Sequence, residues 1–178
     1  LLWKRPIKEW GYRVWASSKT QSNSRFDQPV DITHKLVADG DYIYTALGHN
    51  APMLKLSAKT GETLQTFAGS EQISEILYLD GKLIVSVHRE INDHKKGKSH
   101  GKHILLYDAQ SGKLIWKTKD IKGIKVKSGL LEKYTSLYMA AGKDALFFVD
   151  GMSLVCLNLK DGTERWRKPR PHNGSFVA

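Results

Sequence analysis

An all-β propeller segment, about three four-stranded blades plus the edge of another in an incomplete ring, is predicted by three features of this chain. Polar corners recur as Leu56-Ser57-Ala58-Lys59-Thr60-Gly61-Glu62, Tyr107-Asp108-Ala109-Gln110-Ser111-Gly112-Lys113 and Leu157-Asn158-Leu159-Lys160-Asp161-Gly162-Thr163. Their glycines lie 51 and 50 residues apart, and Trp116 and Trp166 each stand four positions beyond theirs. A period near fifty, filled by short strands between turn residues, marks blades stacked about an axis.

Taken in order, residues 1–34 read as the end of a preceding blade and a connector. Leu2-Trp3-Lys4-Arg5-Pro6 resembles Arg165-Trp166-Arg167-Lys168-Pro169, so residues 1–5 are expected to be a last strand. Trp10, Tyr12, Trp15 and Phe26 flank the polar stretch Ser17–Arg25. Burial against a blade face is favoured for them over a carbohydrate platform. Residues 35–70 form a blade with strands Lys35–Ala38, Tyr42–Leu47, Met53–Ser57 and Glu62–Phe67. Residues 71–123 form the next, with Ser74–Leu79, Lys82–Arg89, His103–Asp108 and Lys113–Lys119, and a basic His/Lys insertion at 90–102. Residues 124–178 supply Ser136–Ala140, Ala145–Val149, Ser153–Leu157 and Thr163–Lys168, then a connection toward a further blade through Pro169–Gly174. Asp39-Gly40, Asp80-Gly81 and Asp150-Gly151 are hairpin signals, because tight primed turns need the positive φ that glycine accepts.

The corners carry their own mechanism. Ser57, Asp108 and Asn158 stand four residues before each glycine, and Thr60, Ser111 and Asp161 one before. Such side chains accept hydrogen bonds from nearby backbone N–H groups. Gly61, Gly112 and Gly162 are then expected in the left-handed region. Trp116 and Trp166 read as wedges that dock on a neighbouring blade, each indole N–H reaching a backbone carbonyl. The first repeat has Gln65 in that position, so one docking site is expected to be missing, leaving a looser seam or one served by Phe67.

Leu106-Tyr107-Asp108 through Trp116, and Val155-Cys156-Leu157-Asn158 through Trp166, resemble the quinoprotein-like (PQQ-like) propeller repeat. The runs Leu1–Trp10, Leu36–Gly48 and Val155–Pro171 look closer still to large bacterial multi-blade propeller proteins of unassigned role. The resemblance implies more blades on both sides and a periplasmic or extracellular place. It covers quinone-dependent dehydrogenases as well as non-enzymatic scaffold lipoproteins of outer-membrane assembly, so it specifies fold more than activity.

Composition narrows function less. The chain has 178 residues, 40% of them hydrophobic, and no apolar run near the eighteen residues a membrane helix needs. It begins at Leu1 without Met or a signal-peptide pattern, and residues upstream are expected. Cys156 is the single cysteine, which excludes an internal disulfide framework and reads as a small buried hydrophobe. The 28 Lys and Arg against 18 Asp and Glu leave a net charge of +10. That excess raises affinity for polyanions, although a solubilising surface is the favoured explanation of it.

The insertion Glu90–Lys102 is expected to be a solvated, mobile loop. Two sharper readings stand beside that one. Lys95, Lys96, Lys98 and Lys102 form a candidate site for an anionic polysaccharide or another polyanion, without specificity for nucleic acid. His94, His100 and His103 are weak metal candidates, because their spacing matches no standard zinc pattern. No metal site, cofactor or catalytic residue is expected in this segment. PQQ and calcium enter only if the chain is part of a quinone-dependent oxidoreductase whose catalytic residues lie elsewhere. Asp27, Asp31, Glu71 and Glu75 are read as surface acids between strands. The expected role is a non-catalytic scaffold or binding module, its partners being other blades of the same protein, a partner chain, or a protein or glycan.

Overall fold

The computed structural model describes residues 1–6, 35–48, 51–91, 99–121, 137–151 and 153–169, with only backbone for 89–91 and 99–100. These residues form three four-stranded antiparallel sheets, each a simple meander. The first holds β1 (Leu36–Asp39), β2 (Tyr42–Ala46), β3 (Met53–Ser57) and β4 (Thr63–Phe67). The second holds β5 (Ile73–Leu79), β6 (Lys82–Ile91), β7 (Ser99–Asp108) and β8 (Leu114–Lys117). The third holds β9 (Ala140–Ala141), β10 (Ala145–Asp150), β11 (Ser153–Asn158) and β12 (Glu164–Pro169). Among the described residues there is no helix, hence none long and apolar enough to cross a membrane.

The sheets stack as blades. First strands approach first strands, β1 beside β5 and β5 beside β9, so they form the inner edge and β4, β8 and β12 the outer one. Between the blades lie two apolar layers. Leu83, Val85, Leu105 and Tyr107 pack toward Tyr44, Met53 and Phe67 of blade 1. Their alternates Ile84, Ile104 and Leu106 pack toward Leu146, Phe148, Val155 and Leu157 of blade 3. Blade 2 is covered on both faces, which is why β6 and β7 contain continuous apolar runs and not a strict alternation. Each such side chain contributes roughly 1.5–3 kcal/mol on burial.

Turn chemistry sets the registers. Asp80 (φ 46°) and Gly81 (φ 74°) are both left-handed, as a primed two-residue turn requires, and Leu79 pairs Lys82 across it. Every blade also carries a bulge at one place. Leu64, Ile115 and Arg165 are skipped by the ladder, which sets Gln65 opposite Lys55, Trp116 opposite Leu106, and Trp166 opposite Cys156. The bulge re-aims the outer strand where the wedge residue stands.

Three expectations are corrected. Residues 1–6 form no strand, since no described sheet offers them ladder partners. β9 is two residues long, because the Met139 N–H points at the Glu75 carboxylate (3.1 and 3.2 Å to its two oxygens) and not into the ladder. The insertion is shorter than a loop over 90–102. β6 continues to Ile91 and β7 begins at Ser99, with His88 opposite Lys102, Arg89 opposite Gly101 and Glu90 opposite His100. Backbone pairing carries the hairpin through residues whose side chains gave no strand signal.

Candidate functional site: blade corners and an extended hairpin

The three corners share one construction. Ser57 Oγ accepts from Thr60 N (3.2 Å), Asp108 Oδ1 from Ser111 N (2.7 Å), and Asn158 Oδ1 from Lys160 N (3.1 Å). Backbone bonds Gly61 N to Ser57 O, Gly112 N to Asp108 O and Gly162 N to Asn158 O close them at 2.8–2.9 Å. The three glycines have φ of 73°, 72° and 73°.

Each glycine is also a landing surface. Trp116 of β8 lies over Gly162, where an added Cβ would sit 2.9 Å from its ring, and its Nε1 donates to Leu159 O at 2.9 Å. Trp3 does the same over Gly61, donating to Ala58 O at 2.8 Å. Trp166 has Phe147 at 6.0 Å between ring centroids and remains 37% exposed.

The expected missing site at Gln65 is a correction. Gln65 covers Gly112 as the tryptophans cover theirs, and its Nε2 donates to Ser111 O at 2.7 Å. The carbonyl an indole would have used, Ala109 O, is taken by Lys55 Nζ at 3.3 Å. Lys55 is 8% exposed, with its ammonium 3.9 Å from the Tyr42 ring centroid. Phe67 and Tyr107 add an edge-to-face contact at 5.5 Å, and Tyr107 Oη donates to Ala68 O at 2.9 Å. Burial pushes the Tyr107 hydroxyl up to about 12, so it stays protonated as a donor.

Corner carboxylates respond to acid. The Ser111 hydroxyl and N–H hold the Asp108 carboxyl below the usual range, and Thr163 does the same to Asp161. The folded chain therefore binds fewer protons here than the unfolded one. The contribution is fully present above about pH 3.9, the unfolded value, and is lost as pH falls through the folded values. Carbon-detected NMR titration is expected to show both carboxyls midway below that value, and Ser111→Ala to move only Asp108 back up.

The second feature is the β6–β7 hairpin. Its strands have ten residues each, against five in β2 and β3 and six in β10 and β11. Its root is buried and polar. Ser74 Oγ and Ser86 Oγ lie 2.6 Å apart. Thr118 brackets Ile104 with its hydroxyl and its N–H, both at 2.9 Å. Lys102 and Ile121 exchange two backbone bonds, at 3.1 and 2.8 Å.

The root changes two readings. Lys102 is 2% exposed, so its ammonium is not available to a polyanion in solution. His103 is buried with Nδ1 3.1 Å from Thr118 O, while Nε2 lies 2.8 Å from Asp120 Oδ1, an ion-pair distance without hydrogen-bond geometry. The other members, Lys95, Lys96, Lys98 and His94, lie outside the described residues, and His100 is described only as backbone in β7. Among the described residues no group of three metal-ligating side chains occurs.

Glu75 is likewise not a surface acid between strands. It lies within β5, 4% exposed, joining blade 2 to blade 3 through Met139. Glu71 is exposed before β5, while Asp27, Asp31 and the aromatics of 7–34 lie outside the described residues. Lys55 and Glu75 escaped sequence reasoning because a single charged residue inside a strand looks the same whether it faces water or a seam.

The class is a repeat propeller with a glycine corner and a wedge residue at each seam. A family model described as outer membrane protein assembly factor BamB matches residues 7–176, and the chain belongs to that PQQ-like repeat family. Among solved structures it is similar to BamB from Moraxella catarrhalis, with 14% identity and a TM-score of 0.50. The match covers 75% of this chain and 39% of that one, so this chain spans about two fifths of the related structure. No curated protein matches it.

Proposed function

We propose that this chain is a non-catalytic scaffold that holds the β6–β7 hairpin out as a docking element for a protein partner. The observation that carries the reading is the hairpin itself. Blade 2 alone among the three described sheets extends its central strands to ten residues, and it does so from a buried, hydrogen-bonded root. A rigid base with a projecting element is how repeat scaffolds present loops for recognition. The description of the matched family, an outer membrane protein assembly factor, accords with protein binding and with a periplasmic or extracellular place.

The test shortens the hairpin. Replacing residues 92–98 with Asn-Gly joins Ile91 to Ser99 through a tight turn. A photo-crosslinker at Ser99 is expected to give a discrete protein adduct with the native hairpin and none with the shortened one, at unchanged Tm. The same adduct from both would refute the reading.

A second reading is favoured by the net charge of +10 and by Lys95, Lys96 and Lys98 within four positions. Here the hairpin tip binds anionic polysaccharide. Replacing those three lysines with glutamine is expected to lower the salt needed for heparin elution. Lys102→Gln should leave elution unchanged, since that ammonium is buried.

A further inference from the structure

The bulge on each outer strand sets two consecutive side chains at equivalent places on the rim of the stack. They are Thr63 and Leu64 in β4, Leu114 and Ile115 in β8, and Glu164 and Arg165 in β12. In blade 3 both are charged, Glu164 pairing with Arg167 at 3.0 Å and Arg165 with Asp144 at 2.9 Å. The fold therefore asks for nothing apolar there. Blades 1 and 2 nevertheless expose large aliphatic side chains at these places, Leu64 by 51%, Leu114 by 42% and Ile115 by 45%. Gln65 crosses the seam to Ser111 O, so β4 and β8 meet along one rim. Neighbouring exposed aliphatics on a polar surface mark a contact site, where single ones need no explanation.

The charge beside them has one sign. Lys113, Lys117 and Lys119 are exposed on and next to β8. The acids nearest in the chain are turned elsewhere, since Asp108 Oδ1 accepts from Ser111 and Asp120 Oδ1 lies 2.8 Å from His103 Nε2. What covers this rim is therefore anionic and takes up aliphatic side chains. It is not an added strand. With four residues, a bulge and flanking lysines, β8 has the three devices that keep an edge from pairing. Contact falls to the side chains alone. A fluid layer of anionic headgroups over acyl chains meets that need, because it closes around a convex edge without matching its shape. Leucine and isoleucine pass below the phosphates, and the lysine stems reach up to them.

We propose that the outer rim of blade 2, continued by Leu64 of blade 1, rests on an anionic lipid surface. Leu114 and Ile115 enter the acyl boundary, while Lys113, Lys117 and Lys119 hold the phosphates. The proposal does not depend on the role given to the hairpin.

Cosedimentation at low salt tests it, with vesicles of phosphatidylglycerol and phosphatidylcholine in equal parts. The full chain is expected to bind these and not vesicles of phosphatidylcholine alone. The chain with the shortened hairpin, which lacks Lys95, Lys96 and Lys98, should bind them as well. Leu114→Ser with Ile115→Ser should weaken binding about tenfold, as loss of the inserted apolar area does. Lys113→Gln and Lys117→Gln should each weaken it about fivefold. All four side chains are exposed, so the variants should keep their circular dichroism spectra. Absence of binding to the anionic vesicles overturns the proposal, as does binding that vanishes when the hairpin is shortened. Binding indifferent to the two serines is mere adsorption of a cationic protein and also overturns it. Retention on immobilised polyglutamate that needs Leu114 and Ile115, without vesicle binding, would give the rim to an acidic protein segment instead.

Discussion

Trp116→Ala is expected to lower stability by about 3 kcal/mol, the scale of a large aromatic truncation in a packed layer. For a chain of this size that lowers Tm by roughly 6–12 °C. The half-buried indole fills the outer part of the second seam, covers Gly162, and satisfies the Leu159 carbonyl. Trp116→Phe keeps much of the packing and loses the donor, so about 1 kcal/mol is expected from the hydrogen bond. The corner supplies an independent check. Gly81 and Gly162 have φ of 74° and 73°, so alanine is strained equally at both. Only at Gly162 does the new methyl collide with the indole, whereas Gly81 has nothing within 4 Å. Gly81→Ala should therefore cost only the backbone term, on the order of 1–2 kcal/mol. Gly162→Ala should cost clearly more, and its effect should combine with Trp116→Ala at less than the sum, because both variants abolish one contact. Thermal unfolding of these variants beside the parent chain decides it. Equal losses at Gly81 and Gly162 would remove the indole from the account.

Most of this seam was legible in the residues. The fifty-residue spacing, the Asx-type corners and the recurring tryptophan follow from local chemistry. A turn that needs a left-handed residue, and a side chain that needs both a flat surface and an acceptor, leave marks in one dimension. The inner edge left none. Glu75 is an acid in a strand, and its partner Met139 N is 64 residues away. Nor did the sequence show that Tyr138 would turn to φ 51°, breaking the expected strand and freeing the Met139 N–H. The hairpin was missed for a different reason. Beyond the expected end at Arg89, Glu90–Ile91 and Ser99–Lys102 show no run of alternating apolar residues, and what holds them as strands is backbone pairing that any residue but proline supplies.

The first seam gives the second large expectation. At the positions where blade 2 has Leu106 and Trp116, blade 1 has Lys55 and Gln65. The indole is replaced by two donors, Lys55 Nζ to Ala109 O and Gln65 Nε2 to Ser111 O. Lys55→Met keeps most of the stem's packing and leaves Ala109 O facing a seam without its donor, a loss of about 1–3 kcal/mol for an unsatisfied buried acceptor. Gln65→Trp alone should also destabilise, because the indole N–H competes with Lys55 for one carbonyl. The double change Lys55→Leu with Gln65→Trp copies the second seam, and it should recover most of what either single change loses. The expected coupling is roughly 1–2 kcal/mol, within the range for residues that share one acceptor. A double-mutant cycle by urea unfolding measures it. If the two effects merely add, Lys55 and Gln65 are independent surface choices and not one seam written in different residues.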